Sequence, residues 1–390
     1  MSDVYIVGAK RKAIGSFQGQ FANTPSPQLG AAAIKAAVKQ AGAIEIDEAF
    51  VGCVLPAGLG QAPARQAVLK AGLDKSVTCT TVNKVCGSGM KTVMLAHDTI
   101  KAGSASIVVA AGMESMTLAP YILPKARSGY RMGHGEVLDH MFYDGLQNPY
   151  DNNMMGVFAE ACADKYTFSR EAQDDFAAES VKRSMRAMES GAFDEEITDV
   201  IVINRRVETT VNKDEEPPRC KLDKIATLRP AFRRENGTVT AANASKISDG
   251  AAAMIIASEQ SVADNSLIPL AKIVGHTTYA HEPEWFTTAP VSAMQKLMKK
   301  LNWQVEDVDL FEINEAFAVV TMAAMQELNI PYEKVNIHGG ACAMGHPIGA
   351  SGTRILVTLL YALKQKGLKR GIASLCIGGG EATAVAIELP

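Results

Sequence analysis

The residues with the most chemistry in this chain are a few cysteines set among glycines and one histidine held between glycine and proline. Cys86 stands in the run Asn83-Lys84-Val85-Cys86-Gly87-Ser88-Gly89. Apolar and β-branched residues precede it (Val77 to Val82), and a helix-forming segment follows (Met90 to Ile100). That order predicts a nucleophile on a tight turn feeding a helix N-terminus. Free N–H groups and partial positive charge there favour a thiolate. A free cysteine is only a few per cent thiolate at neutral pH, so such placement or an adjacent base is what activates it. A single cysteine is more often a small buried hydrophobe. Other segments of the chain favour the chemical reading.

Three of these lie in the second half. In Phe311-Glu312-Ile313-Asn314-Glu315-Ala316-Phe317-Ala318, polar Asn314 and Glu315 fall between a strand end and a helix start. Asparagine is also a good helix cap at such a place. Gly345-His346-Pro347 puts a histidine in a stiff turn, a candidate base or oxyanion donor. In Leu375-Cys376-Ile377-Gly378-Gly379-Gly380-Glu381, a cysteine ends an apolar strand. The three glycines after it leave backbone N–H groups free to face a ligand. Cys342 is also set among glycines, and the residues alone do not choose between it and Cys376.

The elements that must position these groups alternate between strand and helix. Val4 to Val7, Ala49 to Val54 and Ile107 to Ala111 read as strands. Ser26 to Ala41 and Pro63 to Ala71 read as helices. Continuous apolar strands joined by helices predict an α/β fold with a parallel sheet covered on both faces. From about Met116 to Thr240 the chain is irregular and polar, with an amphipathic helix near Ser169 to Ser190 and a Pro- and charge-rich loop at Lys213 to Lys221. This region reads as an insertion. Regularity returns at Ala251 to Ala257 and Ala271 to His276. A faint repeat links Ser88-Gly89-Met90-Lys91, followed by a strand into Ala111-Gly112-Met113-Glu114, with Ser351-Gly352-Thr353-Arg354, followed by a strand into Gly378-Gly379-Gly380-Glu381. It predicts two similar halves.

Composition excludes several classes. The 390 residues are 47% hydrophobic and carry a net charge of -3 without a basic block, so nucleic acid is not expected as a partner. The apolar runs are too short to span a bilayer, so no membrane association is expected. The first residues run straight into a strand, which predicts no signal peptide. Seven cysteines, with no CxxC pair, predict neither a disulfide framework nor a structural zinc site. A cytoplasmic, reducing location is expected.

Taken together, several motifs resemble the thiolase family, in its biosynthetic branch, over nearly the whole chain. They are Cys86-Gly87-Ser88-Gly89, Glu114-Ser115-Met116, Asn314-Glu315-Ala316-Phe317, Gly345-His346-Pro347 and Cys376-Ile377-Gly378-Gly379-Gly380. Leu228-Arg229-Pro230-Ala231-Phe232 and Asn243-Ala244-Ser245 add to them. The resemblance implies a thiolase fold, with two similar βαβαβαββ halves stacked as a five-layer αβαβα core. Residues 1–118, completed by about 241–268, would form the N-terminal half and 269–390 the C-terminal half. Residues 119–240 would be an inserted loop domain over the CoA and acyl site.

The implied activity is the reversible Claisen condensation of two acetyl-CoA to acetoacetyl-CoA and CoA. By resemblance, Cys86 carries the acyl group and His346 activates it. Cys376 moves the proton at the substrate α-carbon. Backbone N–H groups of Cys86 and Gly378 form one oxyanion hole, and His346 with a water held by Asn314 forms the other. Acyl-CoA and CoA are the implied substrates, with no metal or redox cofactor. Ser245 would contact the pantetheine amides and Arg219 the adenine and phosphate end. A homotetramer assembled through Ala119 to His140 is also implied. Two positions depart from the pattern: Met154 stands where relatives often have histidine, and Phe286 where they often have methionine. Met155 and Phe286 are expected to limit the acyl chain, with Phe286 narrowing the pocket mouth.

The alternative within the family is a degradative 3-ketoacyl-CoA thiolase of broader chain length. A ketoacyl synthase-like enzyme would use one cysteine and two histidines. An NAD-dependent oxidoreductase would need G-x-G-x-x-G where this chain has Gly8-Ala9-Lys10-Arg11. A non-catalytic CoA- or lipid-binding protein would have no need of the two cysteines and the Gly-His-Pro turn.

Overall fold

The first sheet runs Thr78–Val82, Glu48–Gly52, Ile107–Ser115, Ser248–Ser258, Val4–Arg11 in spatial order. The computed structural model describes residues 3–204 and 207–390. The first three strands are parallel and the last two join antiparallel. The second sheet runs Leu310–Ile313, Arg370–Ile377, Glu381–Glu388, Ala271–Ala280, with one parallel pair followed by antiparallel ones. The sheets meet edge to edge where Tyr5 pairs with Lys272 and Ile6 with Ala271. The all-parallel expectation is therefore corrected: both sheets are mixed. Arg370–Ile377 and Glu381–Glu388 are joined by the short Gly378–Gly380 turn, which only an antiparallel pair permits.

Strand alternation sorts side chains into layers. From Ile107–Ser115, Val108 and Ala110 face a cluster with Met90, Val93, Leu356 and Leu360 of the helices Ser88–Lys101 and Ser351–Lys366. Ile107, Val109 and Ala111 face the opposite cluster, with Leu29 and Ile34 of Ser26–Ala41 and Val68 of Pro63–Lys70. In the second sheet Leu375 and Val385 face the first of these clusters. Ile372 and Ala384 face Met294 and Leu297 of the helix Ala289–Leu301. The order is helix, sheet, helix, sheet, helix. Ser351–Lys366 is buried from Ser351 to Leu363 because it lies in the middle layer, where apolar residues are needed all round.

Two glycines bring the middle helices together at their N-termini. A Cβ at Gly352 would lie 2.2 Å from Met90 N, and one at Gly89 2.8 Å from Thr353 N. Thr353 Oγ1 donates to Gly89 O at 2.8 Å. The loops preceding these helices are thereby delivered to one place.

The segment between Ser115 and Ser248 holds more structure than its polarity predicts. Arg170–Glu189 is a helix capped by Ser169, whose Oγ accepts the Ala172 N–H at 3.1 Å. Met155–Tyr166 is a further helix that the irregular reading missed. Its Phe158, Ala159, Cys162 and Ala163 are buried at helical spacing, but the polar Asp151-Asn152-Asn153 and then Gly156 mask its start. Among the described residues no helix is long and apolar enough to cross a membrane.

Candidate active site

Cys86 sits just before Gly87, the N-cap of the helix Ser88–Lys101. The preceding Val85 has φ +46, a strained conformation for a β-branched residue. Hydrogen bonds hold the turn in place. Asn83 Oδ1 accepts the Val85 N–H at 3.0 Å. Ser88 Oγ donates to Val85 O at 2.6 Å and accepts the Lys84 N–H at 2.8 Å. A side chain at Gly87 would strike Ile377 Cδ1, so this glycine lets the Cys86 turn lie against the strand that carries Cys376.

Cys86 as a residue is partly open to the surface, while its sulfur is surrounded by protein. Burial by the surrounding protein still pushes its pKa up to about 11, against the N–H groups of Gly378 and of Cys86 itself, which stabilise the thiolate. The charge of Glu114 adds to the rise. The donors expected of the turn are present, but desolvation outweighs them and the resting group is a thiol.

His346 is buried. Its Nδ1 lies 2.6 Å from Ser351 Oγ and its Nε2 3.4 Å from Asn314 Nδ2. Its N–H is shared between Ser248 Oγ at 2.8 Å and Lys246 O at 3.0 Å. Gly345 has φ +109 and a Cβ there would lie 2.3 Å from Ser248 Oγ, so only glycine fits. Burial, then the charge of Arg354, holds the imidazole down to about 3, so it is neutral at ordinary pH. Glu114 fastens this loop to the first half. Its carboxylate accepts the Gly349 N–H at 2.9 Å, Val54 N–H at 3.0 Å and Leu55 N–H at 3.2 Å.

Asn314 does not cap a helix: Ala318–Leu328 begins after Phe317, without a side-chain cap. Asn314 is buried beside His346, and its Oδ1 has no protein partner. Glu315 turns the other way. It accepts Ser180 Oγ–H at 2.7 Å, Asn336 Nδ2–H at 2.9 Å and Cys342 N–H at 3.0 Å, and so ties three segments together.

Tertiary structure separates the two later cysteines. Cys376 is 1% exposed, in a cluster with Phe158, Phe286 and Phe317. Its pKa lies well above the usual thiol value, through burial first and the charge of Cys86 second. Cys342 Sγ instead lies 3.5 Å from Asn243 O and 3.8 Å from Glu315 O, packed with Phe176 and Ala318. Beyond Cys376, Gly379 and Gly380 adopt φ +95 and +87, and the Gly378 N–H faces the Cys86 sulfur. An ion pair between Lys84 and Glu381 closes the two loops on each other.

His346 is among the residues lining a cavity of about 420 Å³. Met116, Phe142, Met154, Met155 and Phe232 make it apolar, and Ser245 and Lys246 give it a polar side. Ser245 and Met155 are both among its lining residues. Arg219 does not line this cavity. Its side chain is 58% exposed, and Nη1 donates to Ser16 Oγ at 3.0 Å and Glu215 Oε1 at 3.1 Å, although its neighbour Glu216 does line it. Phe286 is also placed differently. It is 3% exposed and stacks edge-on against Phe158 with ring centres 6.3 Å apart. It backs Cys376 from beneath rather than narrowing the mouth, because the turn Pro283–Thr288 packs under the helix Met155–Tyr166. Sequence reasoning gave no role to Ser248 or Ser351. For Ser351 the signal was present, as the serine opening the repeated Ser-Gly helix.

Two thiols, a neutral imidazole, free backbone donors and an unpaired carboxamide oxygen suit acyl transfer to sulfur with proton movement beside it. The chain matches the family models "Thiolase, N-terminal domain" over residues 4–260 and "Thiolase, C-terminal domain" over residues 267–389. It is 47% identical over 392 residues to the acetyl-CoA acetyltransferase of Cupriavidus necator, covering 100% of both chains. It is 48% identical over 391 residues to acetyl-CoA acetyltransferase 2 of Arabidopsis thaliana, covering 99% of this chain and 97% of that one. Among solved structures it is similar to the Acat5 thiolase of Ascaris suum in complex with coenzyme A, at 40% identity and a TM-score of 0.95, covering 100% of both.

Proposed function

Because this chain belongs to the thiolase family and is an acyltransferase of that fold, we propose that it interconverts two acetyl-CoA with acetoacetyl-CoA and CoA. The Cys86 turn lying against the strand that carries Cys376, with Gly378 N–H on the Cys86 sulfur, carries this reading. In the thiolysis direction His346 Nε2 takes the Cys86 proton, and the sulfur attacks the 3-keto carbonyl. The oxyanion rests on the Cys86 and Gly378 N–H groups. The carbon–carbon bond then breaks. The enolate thioester oxygen faces His346 Nε2–H and a water held by Asn314, and Cys376 S–H protonates its carbon. Acetyl-CoA leaves. Incoming CoA gives its proton to the Cys376 thiolate and attacks the acyl group. Cys86 departs and recovers its proton from His346. Condensation is the reverse. None of these steps calls for a metal or redox cofactor.

Ser245 is proposed to meet the pantetheine amides, and residues 119–240 to cover the CoA and acyl site. The second proposal is supported by Met154, Met155 and Phe232 on the cavity wall. The apolar Met154 at that wall favours one rival, a degradative thiolase acting on longer 3-ketoacyl-CoA. Adding CoA to acetoacetyl-CoA and following ultraviolet absorbance, then repeating with longer chains, decides between them. CoA-dependent loss fastest on the four-carbon substrate supports the proposal. No thiolysis at any length overturns it.

A homotetramer is proposed through Ala119 to His140, where Tyr121 is 67%, Leu123 51% and Met132 89% exposed. Exposed apolar groups so close together favour a contact surface. Light scattering tests this, and a monomer would contradict it. A role in lipid metabolism and a cytoplasmic location, where Cys86 and Cys376 would stay reduced, complete the proposal.

A further inference from the structure

We propose that Ser351 is a positioning residue that holds His346 in one tautomer, with the proton on Nδ1 and the lone pair on Nε2. The inference rests on His346 being the base of the proposed reaction. A serine hydroxyl has one proton to give and lone pairs to receive. Ser351 Oγ is 3.0 Å from Pro347 O, a carbonyl that can only accept. Pro347 O also accepts the Ala350 and Ser351 N–H groups at 2.8 and 2.9 Å, and the hydroxyl proton is assigned to it as a third donor. What remains on Ser351 Oγ toward His346 Nδ1, 2.6 Å away, is a lone pair. Nδ1 must then carry the hydrogen. Ser351 is fully buried, so bulk water does not compete for either contact.

Two independent features agree. Asn314 Nδ2 lies 3.4 Å from Nε2, a contact that suits a lone pair there. The second is an internal control. Ser88 opens the matching helix of the first half, and its hydroxyl divides its capacity in the same way. It donates to Val85 O at 2.6 Å and accepts the Lys84 N–H at 2.8 Å. There the accepted hydrogen belongs to the backbone, so the direction is not in question.

The consequence is specific. A fixed Nδ1–H leaves Nε2, beside Asn314, as the only basic atom. Ser351 aligns the ring as a carboxylate would but brings no negative charge. It therefore orients the base without pre-forming an imidazolium, and the proton leaves Cys86 only as substrate binds.

The direct test is nitrogen NMR of the whole protein labelled with 15N-histidine, with the His346 signals found by difference from His346→Asn. The expected pattern at pH 8 is a protonated Nδ1 and an unprotonated Nε2. The reverse pattern overturns the proposal, whatever the enzyme assays show. Ser351→Ala is expected to give mixed tautomers and to lower kcat by about 10- to 100-fold, the usual effect of losing an orienting partner, with little change in KM. Ser351→Thr, which keeps the hydroxyl, is expected to restore the single tautomer and most of kcat. An alanine variant with wild-type tautomer and wild-type kcat would also overturn it. If the alanine variant does not fold, the wild-type spectrum alone decides. A protein that fails to cleave acetoacetyl-CoA yet shows the expected tautomer would contradict the functional reading and leave the geometric role of Ser351 standing.

Discussion

Ser88 and Ser351 begin the two helices of the middle layer, and each hydroxyl reaches back to a carbonyl of the loop before it. The loops themselves differ. The first is strained at Val85 and presents Cys86 partly open to the surface. The second is unstrained at His346, which lies buried and neutral. The second half also supplies Cys376 at a strand end and Asn314 beyond another, both buried. One half therefore offers the group that must meet an incoming acyl thioester. The other keeps in low dielectric the groups that must exchange protons without water. Similar scaffolds bring loops to the same point, and access against burial sets which chemistry each loop can do.

The division breaks most visibly at the nucleophile. Cys86→Ala is expected to lower thiolysis by about 10⁴-fold or more, since the covalent route is gone. A variant that keeps a tenth of wild-type turnover would end the comparison. Next comes Cys376→Ser. Condensation is expected to slow by about 10²- to 10⁴-fold, the range for loss of a positioned acid or base. Single-turnover acylation of Cys86 should stay within about tenfold. Equal losses would mean that the halves do not divide the work in this way.

A smaller effect is expected where the halves are tied. Burial, opposed by the N–H groups of Val54, Leu55 and Gly349, raises Glu114 to about 7 from an ordinary value of 4.5. The native state then holds this proton more tightly than the unfolded chain. The contribution is full below about pH 4.5 and is lost as pH rises through about 7, amounting to about 3 kcal/mol across that window. Urea midpoints measured at pH 5 and pH 8 should show Glu114→Gln with a flatter loss than wild type. Equal slopes would remove Glu114 from the account. The smallest effect concerns the floor beneath Cys376. Phe286→Leu frees space for about one methylene, worth about 0.8 kcal/mol. Relative thiolysis of longer 3-ketoacyl-CoA should rise by roughly fourfold for each methylene that fits, and an unchanged chain-length profile would place the limit elsewhere.

Much of the site was legible because glycine and proline punctuate it. The residues around Cys86 and His346 announce turns, and the turns are there. Continuous apolar strands announced sheets covered on both faces, while the five-layer stacking came from the family resemblance; such runs report burial and not direction, which is why the sheets prove mixed. Cys376 and Cys342 carry similar local sequence, and only packing tells them apart: one lies on the strand against the Cys86 turn, the other beside the carbonyls of Asn243 and Glu315. Phe286 lies deeper than expected for the same reason, since depth is not written in neighbours along the chain. Ser351 shows the opposite case. Its Ser-Gly repeat was visible, but a hydroxyl's partner appears only once the loop is folded.

The most direct measurement is the location of the acyl group. The protein is incubated with acetyl-CoA, quenched in acid, digested and examined by mass spectrometry. The account predicts acetyl on the peptide carrying Cys86, with Cys376 and Cys342 unmodified. A stable acetyl group on Cys376 or Cys342, with Cys86 free, would contradict it.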